Sequence, residues 1–173
     1  MTDLGEQLRH CLAGRVCLLA LGNVDYGDDG LGVGLGKRLL ASGMPDVTIA
    51  GTAPERYLGG LMRERFEHVL FLDAVEFGAA PGSVVLLDAS AISSRFPQIS
   101  THKISLAVLS QWAEANGAKA WLLGVQPESL KPGQRLTETV ETTLEALSSL
   151  LESLRPQPSP QAAGGQPIAE ACV

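Results

Sequence analysis

Val16-Cys17-Leu18-Leu19-Ala20-Leu21 runs straight into Gly22-Asn23-Val24-Asp25-Tyr26-Gly27-Asp28-Asp29-Gly30-Leu31-Gly32. An uncharged apolar run that stops at glycine has the length and composition of a buried strand. From Leu31 to Ala41 the apolar positions Leu31, Leu35, Leu39 and Leu40 recur at helical spacing, with Lys37 and Arg38 opposite and an end near Ser42-Gly43. The loop between these elements therefore sits at the carboxyl end of a first strand, where open α/β sheets bind ligands. It carries Asp25, Asp28 and Asp29, and that charge decides what can enter.

A glycine-rich helix start such as Gly30-Leu31-Gly32-Val33-Gly34-Leu35-Gly36 invites a dinucleotide reading. The charge argues against it. A pyrophosphate is held by bare backbone N–H groups at the positive end of a helix. Asp28 and Asp29 at that same end suit the dipole but repel phosphate. They fit a metal cation or a positively charged group. Either could also cap the helix, although one Asp suffices for a cap.

Four more strands follow. Val47 to Ala50 is short and leads into Gly51-Thr52-Ala53-Pro54-Glu55, where Pro54 suits a first helical turn. Arg56 to Arg65 reads as a helix weakened by Gly59-Gly60. His68 to Leu72 is the third strand and ends on Asp73. Pro81-Gly82 turns the chain into the fourth, Ser83 to Leu87, after a link too short for a parallel crossover, so this strand is expected to run antiparallel. Ser90 to Ser100 shows no period and contains Pro97. Ile104 to Asn116 is helical, Ala118 to Val125 is the last strand, and Thr137 caps a helix carrying Val140, Leu144, Leu147 and Leu151. The sum is a three-layer α/β sandwich, a mostly parallel five-stranded sheet with one antiparallel strand and helices on both faces. Residues 1–14 are read as an N-terminal extension, 15–154 as a single α/β domain, and 155–173 as a Pro-rich, disordered tail.

The bulk composition narrows the functional classes. The 173 residues suit one domain. A net charge of −6 gives no footprint for nucleic acid, and no apolar run reaches the length of a membrane span. Asp3 and Glu6 precede any apolar stretch, unlike a secretory signal. The three cysteines, Cys11, Cys17 and Cys172, form no C-x-x-C pair, and Cys17 lies in the first strand as a small core residue. A reducing, cytoplasmic setting fits these features.

Two strands thus end in carboxylates, one in the Asp28-Asp29 loop and one in Asp73. Right-handed crossovers bring both ends to one edge of the sheet. His102, in Ile99-Ser100-Thr101-His102, stands at a helix start that can face the same edge. Alone, Asp73 could bind local N–H groups, and a lone His is more often a surface residue. Asp, Asp and His converging on one crevice make an O, O, N set acceptable to Ni²⁺, Zn²⁺ or Mn²⁺. His10 and His68 have no such context. Nucleophile chemistry finds little support: there is no G-x-S-x-G elbow, and Cys11, beside His10, lies in a segment with weak structural signals. H-E-x-x-H and P-loop motifs are absent as well.

These residues resemble a known family. Gly22-Asn23 with Asp28-Asp29-Gly30-x-Gly32, then Gly51-Thr52-Ala53-Pro54-Glu55, Leu72-Asp73-Ala74 with Pro81-Gly82, Ser100-Thr101-His102 and Gly124-Val125-Gln126-Pro127-Glu128 resemble the signature of the [NiFe]-hydrogenase maturation endopeptidases. The match spans roughly residues 15 to 152, and the Gly-Asp-Asp-Gly loop, the Thr-Ala-Pro-Glu stretch and the Thr-His pair resemble most the branch serving formate-hydrogenlyase-type and related hydrogenases. The resemblance implies a protease that removes a C-terminal peptide from the hydrogenase large-subunit precursor once nickel is inserted. It implies nickel recognition by Asp29, Asp73 and His102, the nickel being supplied by the client. Asp29 stands where some members have Glu, and Asp25 where many are apolar. A nickel-checking chaperone of the large subunit, without peptidase activity, is the alternative.

Overall fold

The computed structural model describes residues 3–95 and 104–155, apart from the Met62 side chain. Its elements run α1 (Leu4–Cys11), β1 (Val16–Leu21), α2 (Leu31–Ala41), β2 (Val47–Gly51), α3 (Leu58–Glu64), β3 (His68–Ala74), β4 (Val84–Asp88), α4 (Ala89–Arg95), α5 (Leu106–Ala115), β5 (Lys119–Val125) and α6 (Glu138–Ser153). The five strands form one sheet in the order β2-β1-β3-β5-β4. All pairs are parallel except β4 with β5.

Central parallel strands are covered on both faces, so they read as unbroken apolar runs. β1 is buried at every residue, and β3 from His68 to Asp73. Alternate residues feed two cores. Leu18, Ala20, Leu70 and Leu72 pack with Leu8, Leu31, Leu35, Leu144 and Leu147 beneath α1, α2 and α6. Leu19, Leu21, Val69 and Phe71 pack with Ile92, Leu106 and Leu109 beneath α4 and α5, with Leu58 and Leu61 of α3 against them. The three-layer α/β sandwich expected from sequence is the architecture found.

Three details depart from expectation. β4 runs antiparallel as expected, but its neighbour is β5, which lies between it and β3. The chain after β3 crosses the end of β5, tied by Val75 N–H to Val125 O and Gly82 N–H to Gln126 O, both at 2.9 Å. Ala89–Arg95 is a helix where an irregular segment was expected; Asp88 Oδ1 accepts the Ala91 N–H at 2.8 Å, and only Ala89 and Ile92 are buried. Two buried residues are too few for a period to show in sequence. Residues 96–100 of that segment lie outside the described residues, as do 156–173 of the expected tail. The N-terminal segment holding Cys11 is also helical, with Leu8, Cys11 and Leu12 buried against the sheet.

β1 is the switch point of the topology. The connection through α2 leads to one side of it, and that through α3 crosses back to the other, placing β3 beside β1. A crevice opens between such strands at their carboxyl ends. Gly32 fixes what lies over it: a Cβ there would come within 2.1 Å of the Leu72 carbonyl and 2.3 Å of the Leu21 carbonyl. The first turn of α2 therefore rests directly on the ends of β1 and β3, which only glycine allows.

The opposite end of the sheet holds an aromatic group. Trp121 Nε1–H donates to His68 Nδ1 at 3.0 Å with the two ring planes 22° apart, and His10 meets both edge-on. His68 is buried, so its role is structural. Burial first, then the charges of Lys119 and His10, hold its pKa below the ordinary 6.5. The folded state thus favours neutral imidazole, and its stabilisation is full above the unfolded value and lost as pH falls below it. Thermal melts from pH 7.5 to 5 are expected to show a steeper decline for the native protein than for His68→Asn. An equal decline in both would refute the linkage.

Candidate active site

The loop after β1 folds into a short 3-10 turn, Gly27–Gly30, that buries both acids side by side and sends them to different places. Asp28 points into the molecule. Its Oδ2 accepts the N–H groups of Glu128 and Ser129 at 2.8 and 2.9 Å and the Thr137 hydroxyl at 3.1 Å, while Oδ1 accepts the Thr137 N–H at 2.7 Å. Asp28 therefore caps no part of α2; it ties the β1 loop to the β5–α6 loop and the start of α6. Gly27 and Asp28 donate back to Gln134 O and Ser129 O at 3.2 and 2.9 Å. With its oxygens so committed, Asp28 is the scaffold of the site.

Asp29 is 3% exposed and takes the Asn23 N–H on Oδ2 at 2.9 Å. Asn23 in turn accepts the Asp25 N–H on its side-chain oxygen at 3.0 Å, closing a local turn beneath the carboxylate. Asp73, also 3% exposed, ends the run that begins Val69-Leu70-Phe71-Leu72, beside Gly124 of β5. The backbone of Asp29 and the carboxylate of Asp73 both border Gly22. A Cβ at that position, whose φ is +116°, would lie 1.9 Å from the Asp29 carbonyl oxygen and 3.9 Å from Asp73 Oδ1. Gly22 thus supplies both a left-handed backbone and the space that lets the Asp29 turn close over the end of β3. His102 lies outside the described residues. Among the described residues no three His, Cys, Asp or Glu side chains gather as a metal cluster.

Asn23, Tyr26, Asp29, Thr52 and Leu130 line a cleft of about 390 Å³ at this edge. A wider hollow, about 570 Å³, opens at the far end between Arg15, Met44 and Glu67, and neither Asp29 nor Asp73 reaches it. Gln126, buried at the end of β5, accepts the Phe77 and Ala79 N–H groups at 2.9 and 3.3 Å and so holds the chain leaving Asp73. Neither Asn23 nor Gln126 has a role that the sequence alone assigns. Their signal was position: one follows the glycine after β1, the other the end of β5.

Buried acids at a switch-point crevice with no low-pKa thiol nearby exclude a cysteine nucleophile among the described residues. Burial pushes both the Cys11 and Cys17 thiols up to about 12, and both are free. A family model described as hydrogenase maturation protease matches residues 35–154, the larger part of the chain. The chain belongs to the hydrogenase maturation protease family. It is 32% identical to the hydrogenase 2 maturation protease of Escherichia coli K12 over 82% of this chain and 91% of that one. It is 28% identical to the hydrogenase 3 maturation protease of the same organism, over 78% and 87%. The crystal structure of the [NiFe] hydrogenase maturation protease HycI from Thermococcus kodakarensis KOD1 superposes with a TM-score of 0.75 at 28% identity, covering 86% of this chain and 97% of that one. The mixed five-stranded sheet is the fold of these peptidases. Among the described residues no helix is long and apolar enough to cross a membrane.

Proposed function

We propose that this maturation peptidase removes a C-terminal peptide from the nickel-loaded [NiFe]-hydrogenase large-subunit precursor, reading the nickel through Asp29, Asp73 and His102. The observation that supports this reading is that two buried acids, Asp29 and Asp73, stand on segments that border Gly22 at the carboxyl edge of β1 and β3, the first through its backbone carbonyl and the second through its carboxylate. Two carboxylates and one imidazole are donors that nickel accepts, and so small a set leaves the ion room for the client's own ligands. The nickel arrives as part of the substrate. When bound, it would supply Lewis acidity at the peptide carbonyl or a more acidic water.

The protein's own groups then have separate tasks. The Asn23 N–H holds one oxygen of Asp29 and orients that carboxylate. Burial keeps competing water from both acids, which strengthens their pull on a cation. Asp28 keeps the β1 and β5–α6 loops together around the cleft. The reaction belongs in the cytoplasm, a setting in which the free Cys11 and Cys17 stay reduced.

The test is gel mobility of precursor incubated with the purified protein. Nickel-loaded precursor is expected to shorten and nickel-free precursor to stay intact. Shortening of both forms alike would sink nickel reading. Binding of loaded precursor with no peptide released would favour the checking chaperone over the endopeptidase.

A further inference from the structure

Asn23 is half-buried on the wall of the cleft, beside Asp29, Tyr26 and Thr52. The fold assigns both ends of its side-chain amide. The Asp25 N–H, at 3.0 Å, requires an acceptor, so the atom facing it is Oδ1 and the other is the NH₂. That NH₂ meets no acceptor among the described residues and stays open to solvent. The backbone sets where it stands. Gly22 N–H donates to Gly51 O at 3.1 Å, joining the ends of β1 and β2, and the Asn23 N–H holds Asp29 Oδ2 at 2.9 Å. The side chain thus leaves the backbone one atom from the nitrogen that grips the acid.

Its neighbours on the cleft wall differ in what they offer. The Asp29 carboxylate only accepts hydrogen bonds, and the Tyr26 and Thr52 hydroxyls both donate and accept. Among the described lining side chains, Asn23 is the one with N–H donors to spare and its acceptor already used. Such a group matches one part of a peptide substrate, the carbonyl oxygen. When water attacks, its oxygen bonds to the carbonyl carbon and the π pair moves onto the carbonyl oxygen. As that pair returns, the C–N bond breaks and the leaving amine carries off a water proton. Between these two events the oxygen is an anion, and a preplaced donor lowers its energy. We propose that the Asn23 amide donates to this oxyanion. A neutral donor suits the place, because a cationic side chain so near Asp29 would pair with it and repel the client's nickel. This inference rests on the endopeptidase reading above.

Two variants separate the donor from the turn that holds it. Asn23→Asp keeps an oxygen for the Asp25 N–H and puts a second oxygen where the NH₂ stood. Asn23→Ser keeps an acceptor for the same turn on a shorter side chain, without adding charge. The backbone N–H to Asp29 is present in both. Shortening of nickel-loaded precursor is to be followed over a range of precursor concentrations, alongside thermal melts. Both variants are expected to lose kcat on the order of a hundredfold, the scale of one oxyanion donor, with KM within about threefold of native. Their melting temperatures should stay within about two degrees of native. A kcat within about tenfold of native in either variant would overturn the assignment, as would a loss that falls on KM or follows a lower melting temperature. Active native protein with unaltered variants removes Asn23 alone, whereas native protein that leaves loaded precursor intact removes the endopeptidase reading and this inference with it.

Discussion

Asp73→Asn is expected to lower the rate of precursor shortening by at least about a hundredfold, since even groups that merely orient metal ligands are worth 10- to 100-fold. The substitution changes two atoms' chemistry and almost no volume. It removes the charge at the point where β3 meets the Asp29 turn, and under the proposed function the client's nickel would lose one of its carboxylate donors. Asp29→Asn should act alike, with the Asn23 N–H still accepted by the amide oxygen. Neither change should shift stability by more than about 1 kcal/mol, the range of substitutions that leave packing intact. Thermal melts and the gel assay separate the two quantities. Processing by Asp73→Asn within tenfold of native would remove Asp73 from the reaction.

The second large effect belongs to the adjacent acid and appears in a different measurement. Asp28→Asn is expected to cost about 3 kcal/mol, because one of its two acceptor oxygens becomes an NH₂ facing buried N–H groups. Oδ2 alone serves Glu128 N–H, Ser129 N–H and the Thr137 hydroxyl, and Oδ1 serves Thr137 N–H. Whichever way the amide turns, at least one donor is left facing another donor. In a domain of this size that loss lowers the melting temperature by roughly 6–12 °C. Hydrogen exchange at Glu128, Ser129 and Thr137 should quicken, since these amides lose their acceptor. A melting temperature within about two degrees of native would show that the loops are held by other contacts. Neighbouring acids in one four-residue turn thus differ in kind: removing one should stop the reaction, removing the other should loosen the fold.

Much of this was legible in the residues. The unbroken apolar runs of β1 and β3 announced buried parallel strands, because strands covered on both faces need apolar side chains at every position. The short link from Asp73 to Ser83 fixed the direction of β4, since no parallel crossover fits it. It did not fix the neighbour of β4. Pairing depends on β5, more than 30 residues later, taking the place beside β3. The short helices α1 and α4 left few apolar positions in sequence, and their burial comes from the sheet they pack on.

The carboxyl edge shows the same division more sharply. By itself the chain determined that Asp28, Asp29 and Asp73 follow buried strands, because covalent order and apolar periodicity are local properties. Only the tertiary structure decided which acid serves which purpose. Asp28 found its donors about a hundred residues away on the β5–α6 loop, and Asp29 met the end of β3 over Gly22. Hydrogen bonds and close approaches between distant segments depend on how the elements pack, and adjacent aspartates carry the same charge until that packing separates their surroundings.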